Sequence, residues 1–370
     1  MQITKQRVPY VDLGGQYGPL KAEIMAAMER VLDHGWFILG QEVKDFEAAV
    51  AELCGVKYAV GVGNGTDALI LPMQGLGIGA GDEVIVPPNS YLASASSVAL
   101  AGARPVFADV REDYNLDPER VEAAITPRTK AIMAVHLTGR PADMEALTDI
   151  ARRHGLYLIE DSAQAIGATY GGRPVGSFGI SGGFSLHPLK NLNAAGDAGF
   201  ITTNDPDLYE YLLKARTHGH SSRDTCDFWS LNSRLDTLQA ALLLVKLKHL
   251  PAWNARRRAL AAIYQERLSP YVWVPTDKPH EQAVYHTFII QTDRRDALQQ
   301  YLAAHEVETK IHYPVPIHLQ RAAAYLGYQR GDFPVTERQT ETILSLPVFP
   351  ELSDEQVHYV CDVVETFFRQ

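Results

Sequence analysis

The sequence predicts an α/β protein: a mostly parallel sheet covered by helices on both faces, followed by a smaller α+β lobe. Three observations carry that expectation. Before residue 200, apolar runs of four to eight residues alternate with segments of helical period. After residue 200 the alternation gives way to a long helical stretch and then to short mixed elements. The chain has 370 residues, more than one small core usually organises, so two lobes are expected.

The elements follow in order. Residues 18–35 (GPLKAEIMAAMERVLDHG) place Leu20, Ile24, Met28, Val31 and Leu32 on one helix face, with Gly35 as a stop. Residues 42–55 repeat the pattern, and a short strand over 58–62 passes through glycines into a further helix. Strands are expected at 82–88, 104–110, 130–137 and 157–163, with helices at 92–103 and 144–155 between them. The segment 180–190 (ISGGFSLHPLK) reads as a short strand running into a turn. Residues 235–269 read as one long helical stretch interrupted near Pro251, which sets the expected division: a large domain over 1–250 and a small one over 251–370. In the second, strands are expected at 285–292 and 308–313 and helices at 294–305 and 353–370. Neither an internal repeat nor a low-complexity segment is present.

The composition narrows the function. Hydrophobic residues make up 46% and charged residues 21%, the mixture of an ordinary globular protein. A net charge of −10 argues against a nucleic-acid partner, which needs a basic stripe to displace counterions. The basic run ARRR (255–258) falls on a helix face and is read as solvated. Cys54, Cys226 and Cys361 are odd in number and far apart, so neither a disulfide framework nor a zinc site is suggested. The opening MQITKQRVPYVDLGG lacks a leader pattern, and no stretch approaches 18 apolar residues. A cytoplasmic protein without a membrane partner is expected.

Three groups point to chemistry. Asp161 ends an apolar strand in LIEDSAQA, at the carboxyl edge of the sheet where α/β proteins place ligands. It could equally cap the following helix. In GNGTDAL (63–69), Gly65 and Thr66 open a helix with free N–H groups and a hydroxyl, either an anion cradle or a plain turn and cap. The glycines of GLGIGAGDEV (75–84) precede their strand instead of following it, so they are read as a helix exit and not as a dinucleotide site. Lys190, in FSLHPLKNLNAAGDAG, sits among small and apolar neighbours that would lower its ammonium pKa. By residue type alone it would be a surface lysine. Taken with the carboxylate and the cradle, it completes the three anchors of pyridoxal 5′-phosphate: ring nitrogen, phosphate and aldehyde.

The run FSLHPLKNLNAAGDAG resembles the lysine motif of the DegT-type sugar aminotransferases, a family of fold-type I pyridoxal phosphate enzymes. Further segments agree in order: residues 37–69, 77–98, 158–179 (LIEDSAQAIGATYGGRPVGSFG), 231–243 (LNSRLDTLQAALL) and 311–320 (IHYPVPIHLQ). The resemblance implies a mostly parallel, mixed seven-stranded sheet in the large domain. It implies an internal aldimine on Lys190, which then acts as general acid and base. It further implies that Asp161 pairs with the pyridine nitrogen, Gln164 approaches the ring hydroxyl and Tyr91 stacks on the ring. Gly65 and Thr66 would bind phosphate with help from Ser185, and Asn232 would reach the phosphate of a neighbouring subunit. Shared active sites in a homodimer follow from that last role.

The implied reaction is a ping-pong transfer from glutamate or glutamine to a keto-sugar, with pyridoxamine 5′-phosphate between the halves. Gly196-Asp197-Ala198 is closer to the Gly-Asp-Gly of 3-keto nucleotide-sugar enzymes than to the Gly-Glu-Gly of 4-keto ones, although Ala198 departs from both. A 3-keto sugar on a nucleoside diphosphate is therefore favoured. A 4-keto nucleotide sugar and an inosose-type cyclitol are the alternatives. His187, Arg223, Tyr313 and His318 are candidate substrate contacts, with packing or solvated roles equally open for the histidines and the arginine. His218 and His220 form His-x-His without a third ligand nearby, so no metal is expected. The related dehydratases carry histidine at the lysine position, so Lys190 argues against that activity. A non-enzymatic regulator on the same fold would be expected to lose cofactor anchors or add a DNA-binding segment, and neither is seen.

Overall fold

The computed structural model describes residues 6–370, so the first five residues of the stretch read for a leader lie outside it. Its centre is a seven-stranded sheet. The strands run in the order Tyr58–Val62, Gly199–Thr203, Ser181–Ser185, Tyr157–Asp161, Thr129–Val135, Glu83–Val86 and Arg104–Phe107. The last five are parallel to one another. Gly199–Thr203 is antiparallel to both of its neighbours, which makes the sheet mixed. Glu83–Val86 and Gly199–Thr203 are buried at every position, as continuous apolar or small-residue runs covered on both faces must be.

The helices pack on this sheet by the pattern their sequence carries. Leu13–His34 buries Leu20, Ile24, Ala27 and Val31 and stops at Gly35, whose φ of 70° is a left-handed conformation glycine adopts without cost. Leu32, expected on the inner face, is exposed, because it sits about 100° around the helix from Val31, the last residue of the buried stripe. The stretch 235–269 is two helices, Thr237–Leu247 and Leu250–Leu268. Pro251 lies in the first turn of the second, where its missing N–H has no partner to lose.

Other expectations need correction. Residues 308–313 form no strand. Lys310 makes a single bridge to Ser345, and the antiparallel partner of Phe288–Gln291 is Ile343–Leu346. Three helices escaped the periodicity reading: Pro118–Ala123, Pro206–Ala215 and Pro334–Thr342. Each begins with proline in its first turn, and Asp117 and Asp205 cap the first two through their side chains. The Asp-Pro pairs could have marked the first two. Beyond residue 250, Leu260, Tyr264, Phe288, Leu298, Leu346 and Val360 build a core that Val8 joins from the chain start. Ile317, Leu326 and Phe333 instead pack with Phe107 and Val98 against the sheet. Among the described residues no helix is long and apolar enough to cross a membrane.

Candidate active site

Three neighbouring strands end at one cavity. Val135, Asp161 and Ser185 are the last residues of their strands, and all three line a cavity of 340 Å³. Gly65, Thr66, Tyr91, Gln164, His187, Lys190 and Tyr313 line it too. The sequence scatters these residues over about 250 positions, and the parallel topology gathers them at its carboxyl edge.

Asp161 is nearly buried and held on both oxygens. Ser94 Oγ donates to Oδ2 at 2.7 Å and the Ala163 N–H to Oδ1 at 3.2 Å. Ser90 Oγ lies 2.7 Å from Ser94 Oγ, extending the chain of hydroxyls. Residues 162–168 form turns and no helix, so Asp161 caps none. Its carboxylate is fixed in one orientation at the cavity wall.

The cradle comes from the Asn64–Thr66 turn. Asn64 caps the following helix, its Oδ1 accepting from the Asp67 N–H at 2.9 Å. That leaves the Thr66 hydroxyl free of capping duty, since it makes no side-chain cap bond. Gly65 must be glycine: a Cβ there would sit 2.6 Å from the Ser185 Cβ. The turn thus lies directly against Ser185, and two hydroxyls and unspent backbone N–H groups share one wall.

Lys190 follows a tight turn in which its N–H donates to the His187 carbonyl at 2.8 Å. It is half-buried. Burial pushes its ammonium down to about 8, opposed by the charge of Asp161. Gln164 is oriented by the Thr138 N–H, which donates to its Oε1 at 2.7 Å, so its Nε2 donates to the Tyr313 hydroxyl at 3.3 Å. Burial and Asp161 raise the Tyr313 phenol and keep it protonated. Tyr91 is 57% exposed at the rim, its ring centroid 5.8 Å from that of Tyr313, a broad face without a covering partner.

The structure does not bring every candidate here. His318 is buried away from the cavity, its Nε2 3.1 Å from Glu337 and its ring packed edge-on against Phe107 and Phe333. Arg223 and Asn232 are exposed and line no part of this chain's cavity. His218 and His220 lie with rings 5.7 Å apart beside an exposed hairpin, and the described residues hold no cluster of three or more side chains suited to a metal.

Two further wall residues are not among the sequence candidates. His286 lines the cavity, its Nδ1 donating to Asn191 Oδ1 at 3.3 Å, and burial with the nearby Lys190 charge holds it well below the usual histidine range. It was hidden because 285–292 reads as strand; the strand begins only at Phe288, and Tyr285 takes a left-handed φ of 45° that turns His286 inward. His312, held by Ser345 Oγ at 2.9 Å, is pushed down to about 4 by burial and Lys190. Both are neutral near pH 7. Asp197 completes that side of the wall, exposed beside Lys190.

A depressed lysine amine, a fixed carboxylate and an anion cradle on one cavity fit pyridoxal 5′-phosphate by the chemistry of the donors. The sequence pattern of the DegT/DnrJ/EryC1/StrS aminotransferase family matches residues 19–365. The pleiotropic regulatory protein of Geobacillus stearothermophilus is 45% identical over 98% of this chain and 99% of its own. The dTDP-3-amino-3,4,6-trideoxy-alpha-D-glucose transaminase of Streptomyces venezuelae is 46% identical over 97% and 95%. The crystal structure of S. venezuelae DesV in complex with a ketimine intermediate superposes with a TM-score of 0.96 at 46% identity, covering 98% of this chain and 99% of that one.

Proposed function

The chain belongs to the DegT/DnrJ/EryC1/StrS aminotransferase family, and from that premise we propose that it aminates the 3-keto carbon of a sugar carried on a nucleoside diphosphate. It is a pyridoxal phosphate-dependent aminotransferase. One observation carries the reading: Lys190, Asp161 and the Gly65–Thr66 cradle line one cavity. The name of the S. venezuelae relative, a 3-amino-sugar transaminase, supports the position of the ketone.

When bound, the cofactor supplies an electron sink for charge at the amino-bearing carbon. Asp161 would pair with the ring nitrogen, and the Ser94 and Ala163 donors fix its carboxylate in one orientation. Gly65, Thr66 and Ser185 would hold the phosphate, Tyr91 would cover a ring face and Gln164 would meet the ring hydroxyl. Lys190 would be the residue that holds the aldehyde end of the cofactor and the base that moves the proton, and its depressed pKa suits an amine with both tasks. His187 and Tyr313 contact substrate at the wall, while Arg223, outside this chain's cavity, would meet the diphosphate only as part of a second copy's site. His318, committed to Glu337, takes no substrate role in this reading.

Asn232 is exposed and outside its own chain's cavity, so it serves the phosphate of a second copy in a homodimer with shared sites. The exposed Trp36, Phe37 and Ile38 offer apolar surface for such a contact. The chain divides near residue 250 into a cofactor-binding domain and a smaller one, and works in the cytoplasm by a ping-pong mechanism with glutamate or glutamine as donor.

The acceptor is tested with a panel of nucleotide-linked 3-keto sugars, nucleotide-linked 4-keto sugars and a cyclitol ketone, each offered with glutamate. Turnover highest on the 3-keto members is expected. A clear preference for 4-keto sugars or for the cyclitol refutes the assignment of position.

A further inference from the structure

Lys246 lies on the Thr237–Leu247 helix with none of its surface exposed. Its Nζ donates to Gln16 Oε1 at 3.0 Å and to Asn193 Oδ1, and sits 4.1 Å above the Tyr17 ring. Among the described residues it forms no ion pair with a carboxylate. Burial pushes it down to about 7, with Glu351 opposing from a distance. An ammonium buried on amide oxygens and an aromatic face is an unfavourable choice for a core, where an apolar side chain would pack as well.

Its partner explains the choice. Asn193 is buried three residues after Lys190, and its Nδ2 donates to the Pro188 carbonyl at 2.6 Å, two residues before Lys190. The amide therefore staples the two sides of the turn that carries Lys190. An asparagine amide can flip, and the flipped form would set an oxygen against the Pro188 oxygen. When protonated, Lys246 has only donors, so it accepts no orientation but the one with Oδ1 toward it and Nδ2 toward Pro188. The same side of the fold supports the loop twice more. Tyr17 Oη donates to the Ala194 carbonyl at 3.2 Å, and Gln239 Oε1 accepts from the Ala195 N–H at 2.9 Å.

We propose that Lys246 is a positioning residue for Lys190, fixing the Asn193 amide so that it clamps the Pro188 carbonyl and holds the lysine turn in register with the cavity. The inference rests on the reading of Lys190 as the group that carries the cofactor. Lys246 itself touches neither cofactor nor substrate.

The decisive variant is Asn193→Asp. Its carboxylate gives Lys246 a better partner, so the fold keeps its support, but it cannot donate to the Pro188 carbonyl. The cofactor-loaded protein is titrated with pH through its visible band, and kcat and KM are measured alongside the thermal midpoint. The midpoint of the band titration is expected to move by about half a pH unit or more, since Lys190 changes surroundings. The kcat is expected to fall about tenfold to a hundredfold, with KM for the amino donor held within about threefold and the thermal midpoint near wild type. Lys246→Met, which frees the amide to flip, is expected to move the band titration in the same way and decides the matter if Asn193→Asp does not fold. A folded variant of either kind with wild-type titration and kcat overturns the clamp. A wild type that shows no visible band with added cofactor refutes the reading of Lys190 instead.

Discussion

Lys190 concentrates the chemistry, and its environment makes a signed prediction. Burial favours the neutral amine, so the folded-state pKa falls from the ordinary lysine range to about 8. Below that value the amine is protonated and cannot attack a carbonyl; above it the amine is free. The rate at which apo protein captures added pyridoxal phosphate is therefore expected to rise with pH up to about 8 and then level off. A rate that climbs on toward an ordinary lysine value of about 10.4 would place the amine in open water. The residue also marks how far a sequence can be read. Lys190, Asp161 and Gly65–Thr66 were legible as a set, because each residue type answers one part of the same cofactor. His286 was not, since its inward direction depends on the left-handed turn at Tyr285. Nor was the burial of His318, which follows from a glutamate 19 residues later in the chain and from aromatic neighbours on two other segments.

At the scale of elements, apolar period located most strands and long helices, and failed where elements are short or polar. Gly199–Thr203 offers two large apolar residues after a glycine-rich loop, too little to announce a strand. Its position in the sheet nevertheless decides the site. Gly199 lies under the cradle turn, where a Cβ would meet the Asn64 carbonyl carbon and oxygen at 2.6 Å. Gly199→Ala must push that turn away from Ser185 while leaving Lys190 and Asp161 in place. The expected result is a cofactor Kd raised about tenfold, about 1.4 kcal/mol, with the pH profile of the bound cofactor unchanged. Equilibrium dialysis of the variant against pyridoxal phosphate measures it, and an unchanged Kd would show that the turn does not hold the phosphate.

At the scale of the whole molecule, the fold class and the gathering of distant residues at the sheet edge were legible from alternation and from strand ends. Assembly is an expectation only through the resemblance, because Asn232 and the exposed apolar face carry by themselves no signal for what covers them. Shared sites have a distinctive consequence. Lys190→Ala and Asn232→Ala chains are each expected to be impaired alone. Mixed and allowed to exchange subunits, they form hybrids in which one site unites an intact Lys190 with an intact Asn232 from the other copy. Activity should then rise above the sum of the two preparations, and strict additivity would assign Asn232 to some other task.

The central claim, an aminotransferase working through Lys190, is tested most directly by a single half-reaction. Cofactor-loaded wild type is mixed with glutamate, or with glutamine, and no acceptor. The expected result is close to one oxo-acid released per active site with loss of the visible band, and recovery of the band when a nucleotide-linked 3-keto sugar is added, while Lys190→Ala does neither. A wild type that binds the cofactor yet releases no oxo-acid from any amino donor would contradict the account.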